Sequence, residues 1–192
     1  MRYTRAFSLF AALAVPLAFA AAPAAFAQMQ AEHTVTVGGA PMYPSKNIIQ
    51  NAVNSKDHTT LVAAVKAAGL VDTLQGPGPF TVFAPTNAAF DKLPPGTVDT
   101  LLKPENKDTL VKVLTYHVVP GRLTAADLMR MVRAGNGKTE LKTVLGETLT
   151  VSQDGNKLFV SGAQSGVGEI TISDVMQSNG VIQVVSSVLL PR

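Results

Sequence analysis

The chain has 192 residues, with 16 basic and 13 acidic side chains, three histidines, no cysteine and no tryptophan, for a formal net charge of +3. Without cysteine there can be no disulfide, no Cys-type zinc site and no cysteine nucleophile. No dense Lys/Arg run appears, so a nucleic-acid partner lacks its electrostatic footing.

Arg2 and Arg5 precede an almost wholly apolar stretch over residues 6–22, and Ala25-Phe26-Ala27 has the A-x-A form of a cleavage site. The pattern predicts a secretory signal over residues 1–27, cut after Ala27, and a product that is periplasmic or secreted. A retained anchor is the alternative. Pro16 interrupts the run and small residues end it, which favours cleavage, and no second long apolar stretch predicts a transmembrane segment. Taking 27 residues from 192 leaves 165, carrying 14 basic and 13 acidic side chains, enough for one compact domain with its own core.

Residues 28–44 are polar and Gly/Pro-containing, with a brief alternation at Thr34-Val35-Thr36-Val37, and are expected to form a flexible extension ahead of a domain over 45–192. Ser45 is placed to cap a helix over 46–54, and a second helix runs from about Thr60 to a stop at Gly69. Gly76-Pro77-Gly78-Pro79 breaks the chain before a strand over 80–83, and a short helix follows until Pro94-Pro95. Residues 97–102 suggest another helical turn. The 3.6-residue stripe Leu110, Val113, Leu114, His117 predicts a helix over 107–116, and a further helix covers 125–132. From Glu140 the period becomes two. Strands are expected over 148–152 and 157–161 around Asp154-Gly155, then over 170–172 and 181–190, the last opened by a turn at Asn179-Gly180. Helices first and strands mostly later make the class α+β.

Three segments carry a family resemblance. Phe80-Thr81-Val82-Phe83-Ala84-Pro85-Thr86-Asn87-Ala88-Ala89-Phe90 is similar to the first signature of fasciclin-like (FAS1) domains. Asn179-Gly180-Val181-Ile182-Gln183-Val184-Val185, running into Val188-Leu189-Leu190-Pro191, resembles the second, and Tyr116-His117 resembles the family's Tyr-His dipeptide. The resemblance extends over residues 45–192. It implies a β-sandwich or wedge with several helices packed at one side, the two signatures forming neighbouring strands at its centre. It also implies adhesion or other extracellular interaction through protein or glycan partners. The family usually has His where this chain has Gln183, and Ile-Asp where it has Val185-Ser186. In animal members an Asp-Ile pair and the Tyr-His dipeptide are implicated in adhesion. The matching positions, Asp174, Val175, Tyr116 and His117, are therefore the candidate binding residues. Asp174 is expected at a strand end, its carboxylate facing solvent; the competing reading has Asp174 merely ending the strand and Val175 packing inward.

The local chemistry of the first signature is mainly structural. Ala84 must stay extended before Pro85, Thr86 is a good N-cap, and Pro85 and Phe90 hold the positions of a hydrophobic staple. No metal or cofactor is expected. His33, His58 and His117 have no second ligand at metal spacing, and Gly137-Lys138-Thr139 lacks the earlier glycine of a phosphate loop because Val132 stands there. Gly162-Ala163-Gln164-Ser165-Gly166 is not a nucleophile elbow. An enzyme, such as a hydrolase working through His117 and a serine, is the rival to a binding module. A structural or stress-related envelope protein without a dedicated ligand is the third reading. Edge strands and the extension offer weak self-association.

Overall fold

The computed structural model describes residues 34–192, so the expected signal over 1–27 and its cleavage point lie outside the described residues. The described chain begins with a small hairpin, β1 (Val35–Val37) against β2 (Ala40–Met42), turned through Gly38 and Gly39 at positive φ. This revises the flexible extension over its described part. Val37 and Met42 are 3% and 2% exposed and belong to the main core. Three-residue strands leave too short a pattern to read, and their burial depends on residues far along the chain.

Helices α1 (Ile48–Ala52), α2 (Thr59–Ala68) and α3 (Val71–Gln75) follow. The cap of α1 is Asn47, not Ser45: its side chain accepts from the Gln50 amide while the Gln50 side chain accepts from the Asn47 amide, a reciprocal capping box. Gly69 ends α2 in the left-handed region, as expected. Next come β3 (Phe80–Pro85), α4 (Asn87–Phe90), α5 (Thr97–Leu101), α6 (Lys107–Tyr116), β4 (Val118–Pro120) and α7 (Ala125–Ala134). The strands β5 (Lys138–Lys142), β6 (Thr148–Asp154), β7 (Lys157–Ser161), β8 (Val167–Gln177) and β9 (Gly180–Val185) complete the described elements.

The larger sheet has seven strands in the order β4-β3-β9-β8-β7-β6-β5. Every pairing is antiparallel except β3 with β9, which run parallel in register from Phe80 opposite Gly180 to Pro85 opposite Val185. The two signature segments are thus neighbouring interior strands, second and third from the β4 edge rather than at the middle of the sheet, which β8 occupies. The Val144 amide, just past β5, donates to the Val118 carbonyl of β4 at 2.8 Å, drawing the sheet's ends together into a wedge that is nearly a barrel. The class is α+β, with the fold that the signatures imply.

Side-chain alternation on β3 and β9 explains their near-continuous apolar sequence. Val82, Ala84, Ile182 and Val184 enter a core beneath the hairpin, α1, α2 and α6. Phe83 and Val185 enter a second core with Tyr116 and Leu128 of α7. Strands buried on both faces have no solvent-facing positions to make polar. Each fully buried aliphatic or Phe side chain contributes about 1.5–3 kcal/mol of transfer free energy.

Candidate functional site

The first signature builds the expected strand-to-helix corner. Thr86 Oγ1 accepts from the Ala89 amide at 3.3 Å, the Thr86 amide donates to the Val185 carbonyl at 3.4 Å, and Pro85 and Phe90 are both buried. Asn87 does something the sequence does not disclose. Its Oδ1 accepts from the Thr60 amide at 3.1 Å and the Thr59 hydroxyl at 3.2 Å, while its Nδ2 donates to the Lys56 carbonyl at 2.9 Å. It therefore caps α2 from 27 residues away. Asn179 works similarly in the second signature: Oδ1 accepts from the Ile48 amide that opens α1, and Nδ2 donates to the Leu74 and Gly76 carbonyls behind α3. Asn51, fully buried, joins the Tyr43 backbone to the Gln177 side chain of β8.

Tyr116 and His117, two of the four candidate contacts, are 0% and 2% exposed. The Tyr116 hydroxyl donates to the Thr148 carbonyl at 2.7 Å and accepts from the Ala163 amide at 3.0 Å, tying α6 to the start of β6 and the loop after β7. Burial raises its pKa; the Ala163 amide opposes this and the Glu147 charge adds to it. His117 Nδ1 donates to the Val113 carbonyl at 2.7 Å, and its Nε2 accepts from the Leu189 amide at 2.9 Å. That pairing needs the neutral imidazole, since an imidazolium would set one N–H against another. Burial lowers the His117 pKa to about 4, with the Val113 carbonyl pulling the other way.

Asp174 and Val175 lie inside β8, which continues past Ile172 through register shifts to Gln177. Asp174 has φ 58°, and its carboxylate does not face outward into solvent alone. Its Oδ1 accepts from the Ala125 amide at the start of α7 at 2.7 Å and from Gln183 Nε2 at 3.2 Å. Gln183, fully buried, also accepts from the Asp174 amide at 3.1 Å and donates to the Leu123 carbonyl at 3.0 Å. The residue that departs from the family's histidine is thus the hub that joins β9, the β8 bulge and the entry to α7. Thr81 completes the arrangement, donating to the Gly121 carbonyl at 2.6 Å and accepting from the Leu123 amide at 2.9 Å. Val175 is 1% exposed and packs inward.

The structure therefore brings Asp174 together with Gln183, and Tyr116 next to His117, but uses all four candidate residues to hold elements in place. Beside the Asp174 network, Arg122 donates through Nη2 to the Gln177 carbonyl at 3.0 Å and the Ser178 carbonyl at 3.3 Å. Arg122 lines an open cleft of about 470 Å³ with Asn47, Gln75, Pro77 and Asn179. Both carbonyls engage the same guanidinium nitrogen. Sequence reading had no signal for this cleft, which is assembled from four separate segments.

A serine–histidine pair does exist, away from His117. Ser55 Oγ lies 2.9 Å from His58 Nδ1, and both residues are 3% exposed. His58 Nε2 meets no carboxylate and has no hydrogen-bond partner. A nucleophile–base–orienter set needs that third group and access for a substrate. Among the described residues no group of three His, Cys, Asp or Glu side chains is arranged to hold a metal ion. Nor is any described helix long and apolar enough to cross a membrane.

Comparison with known proteins agrees with this geometry. The family model described as "Fasciclin domain" matches residues 56–191. "Protein sll1483" of Synechocystis is 47% identical over 168 residues, covering 87% of this chain and 86% of that protein. "Immunogenic protein MPB70" of Mycobacterium bovis is 37% identical over 145 residues, covering 73% of this chain and 66% of that one. Among solved structures, a FAS1 domain pair from the insect cell adhesion molecule Fasciclin I superposes with a TM-score of 0.68 at 18% identity, over 77% of this chain and 52% of the pair. The matched signatures, their parallel pairing inside the sheet and the family model together establish that this chain belongs to the fasciclin domain family.

Proposed function

We propose that this protein is a secreted or periplasmic binding module that mediates cell adhesion or envelope contacts with protein or glycan partners. The observation that carries the reading is the fold itself. It is the fold of a domain pair from an insect cell adhesion molecule, and a cell surface glycolipoprotein of Mycobacterium bovis is 33% identical over 170 residues. An argument from family to function is one of analogy. The local chemistry is consistent with it, because polar groups of both signatures cap helices and join strands.

Contact is assigned to the Arg122 cleft and its rim rather than to the buried Tyr-His pair. An anchored guanidinium suits a carboxylate or sulfate on the partner. The test is saturable binding of envelope and matrix extracts to the immobilised native protein, with unfolded protein as the control. Arg122→Gln should weaken capture at least several-fold while the thermal midpoint stays within a few degrees. Equal capture by native and unfolded protein contradicts the binding-module reading; undiminished capture by Arg122→Gln moves the site away from Arg122.

A further inference from the structure

Among the described residues, His58 Nε2 is the buried side-chain nitrogen or oxygen left without a hydrogen-bond partner. His58 borders an apolar cavity of about 30 Å³ whose walls include Val37 and Met42 of the hairpin, Val175 and Ile182 of the sheet, and Leu61 of α2. That volume admits a water molecule, for which ~10–15 Å³ suffices, and falls far below the ~150 Å³ that accommodates a benzene-sized ligand. A benzene-sized ligand is therefore excluded in this conformation; apart from a single water, the species small enough to act on His58 is a proton.

The hairpin rests directly on the turn that carries His58. The Lys56 amide donates to the Gly38 carbonyl at 3.2 Å. Gly38, at φ 58°, sits so close that a Cβ there would lie 2.4 Å from Ser55 Oγ and 2.7 Å from the Asp57 amide. Ser55 Oγ in turn holds His58 Nδ1. The hairpin forms a separate two-stranded sheet and precedes the span 56–191 matched by the family model, so it can leave without breaking a strand of the seven-stranded sheet. We propose that His58 is a proton-operated latch for the β1–β2 hairpin: the neutral imidazole keeps the hairpin docked, and protonation in acid releases it.

The electrostatics agree in sign. Burial disfavours the imidazolium and lowers the His58 pKa; the Ala84 carbonyl and the Asp57 charge oppose this without reversing it. The charged neighbours are Lys56 and Asp57, both on the turn itself. The cavity residues supplied by the hairpin, α1, α2, β3, β8 and β9 are all uncharged, so apart from the Ala84 carbonyl nothing across the cavity offsets a buried positive charge. Undocking hydrates the ring and restores its ordinary affinity for a proton, near pKa 6.5. The docked state therefore binds fewer protons than the undocked one. Its advantage is complete above about pH 6.5 and declines as the pH falls below it.

Hydrogen exchange of the intact protein at pH 7.5 and 5.5, corrected for intrinsic rates, tests the latch. Protection of the hairpin amides should fall by up to about tenfold at the lower pH, while β3 and β9 change less, and His58→Gln should abolish the difference. An unchanged hairpin, a hairpin and interior strands that lose protection equally, or a pH effect that persists in His58→Gln would each overturn the proposal. If His58→Gln does not fold, the imidazole titration of the unaltered protein decides. A His58 midpoint below 6.5 accompanied by selective hairpin release supports the latch, and a midpoint at or above 6.5 removes it.

Discussion

Individual side chains in the signatures act as long-range fasteners. Asn87 and Asn179 each satisfy backbone groups at the starts or ends of helices distant in sequence. Asn87→Ala should destabilise the protein by about 1–2 kcal/mol, because it uncaps α2 and leaves the Lys56 carbonyl without its donor. Urea unfolding measures this, and a change within a few tenths of a kcal/mol would show that solvent replaces the cap. His117 makes a pH-dependent contribution. Its folded pKa of about 4 lies below the unfolded value of 6.5. The folded state thus binds fewer protons, its stability is full above about pH 6.5, and it is lost progressively down to about pH 4. The gap is worth about 3 kcal/mol. Unfolding free energies of the unaltered protein and His117→Gln across pH 4–7.5 should converge toward acid, the variant having the shallower slope. Parallel curves would mean that His117 is not buried as a neutral ring.

At the scale of elements, the parallel pair β3–β9 and the corner after β3 carry the fold. Phe83 is 0% and Phe90 7% exposed, and they lie in different cores on the two sides of the corner. Phe83→Ala and Phe90→Ala should each cost about 3–5 kcal/mol, lowering the midpoint and the yield of folded protein together. Retained stability with selective loss of binding would instead make the corner a contact surface. These elements were legible in the sequence because their causes are local: an apolar strand, Ala before Pro, Thr at the cap, a left-handed Gly69 after α2. What was not legible depends on distant partners. The strand containing Asp174 reads as ending at Ile172 because Asp is a turn former, yet the Ala125 amide and Gln183 hold that residue at positive φ within β8. The two hairpin strands and β4 are three residues each, too short for a period to register, and neither His58's burial nor its pairing with Ser55 is visible in a three-residue spacing alone.

For the whole molecule, the resemblance led to the right fold and family, while the four candidate residues turned out to lie in its framework. Family signatures therefore mark, in this chain, the groups that hold the wedge together, and the proposed contact surface is a cleft assembled from several segments around Arg122. Asp174 separates these roles most directly. Asp174→Ala removes the carboxylate that accepts the first amide of α7 and places alanine at φ 58°, whereas Asp174→Asn keeps both an acceptor oxygen and tolerance of the left-handed region. The decisive measurement is adhesion and thermal midpoint for both variants on the same preparations. The framework role predicts that Asp174→Ala loses about 2–3 kcal/mol and binds only in proportion to its folded fraction, with Asp174→Asn close to the unaltered protein in both respects. Abolished adhesion in Asp174→Asn at an unchanged midpoint would contradict it and make the carboxylate itself a partner contact.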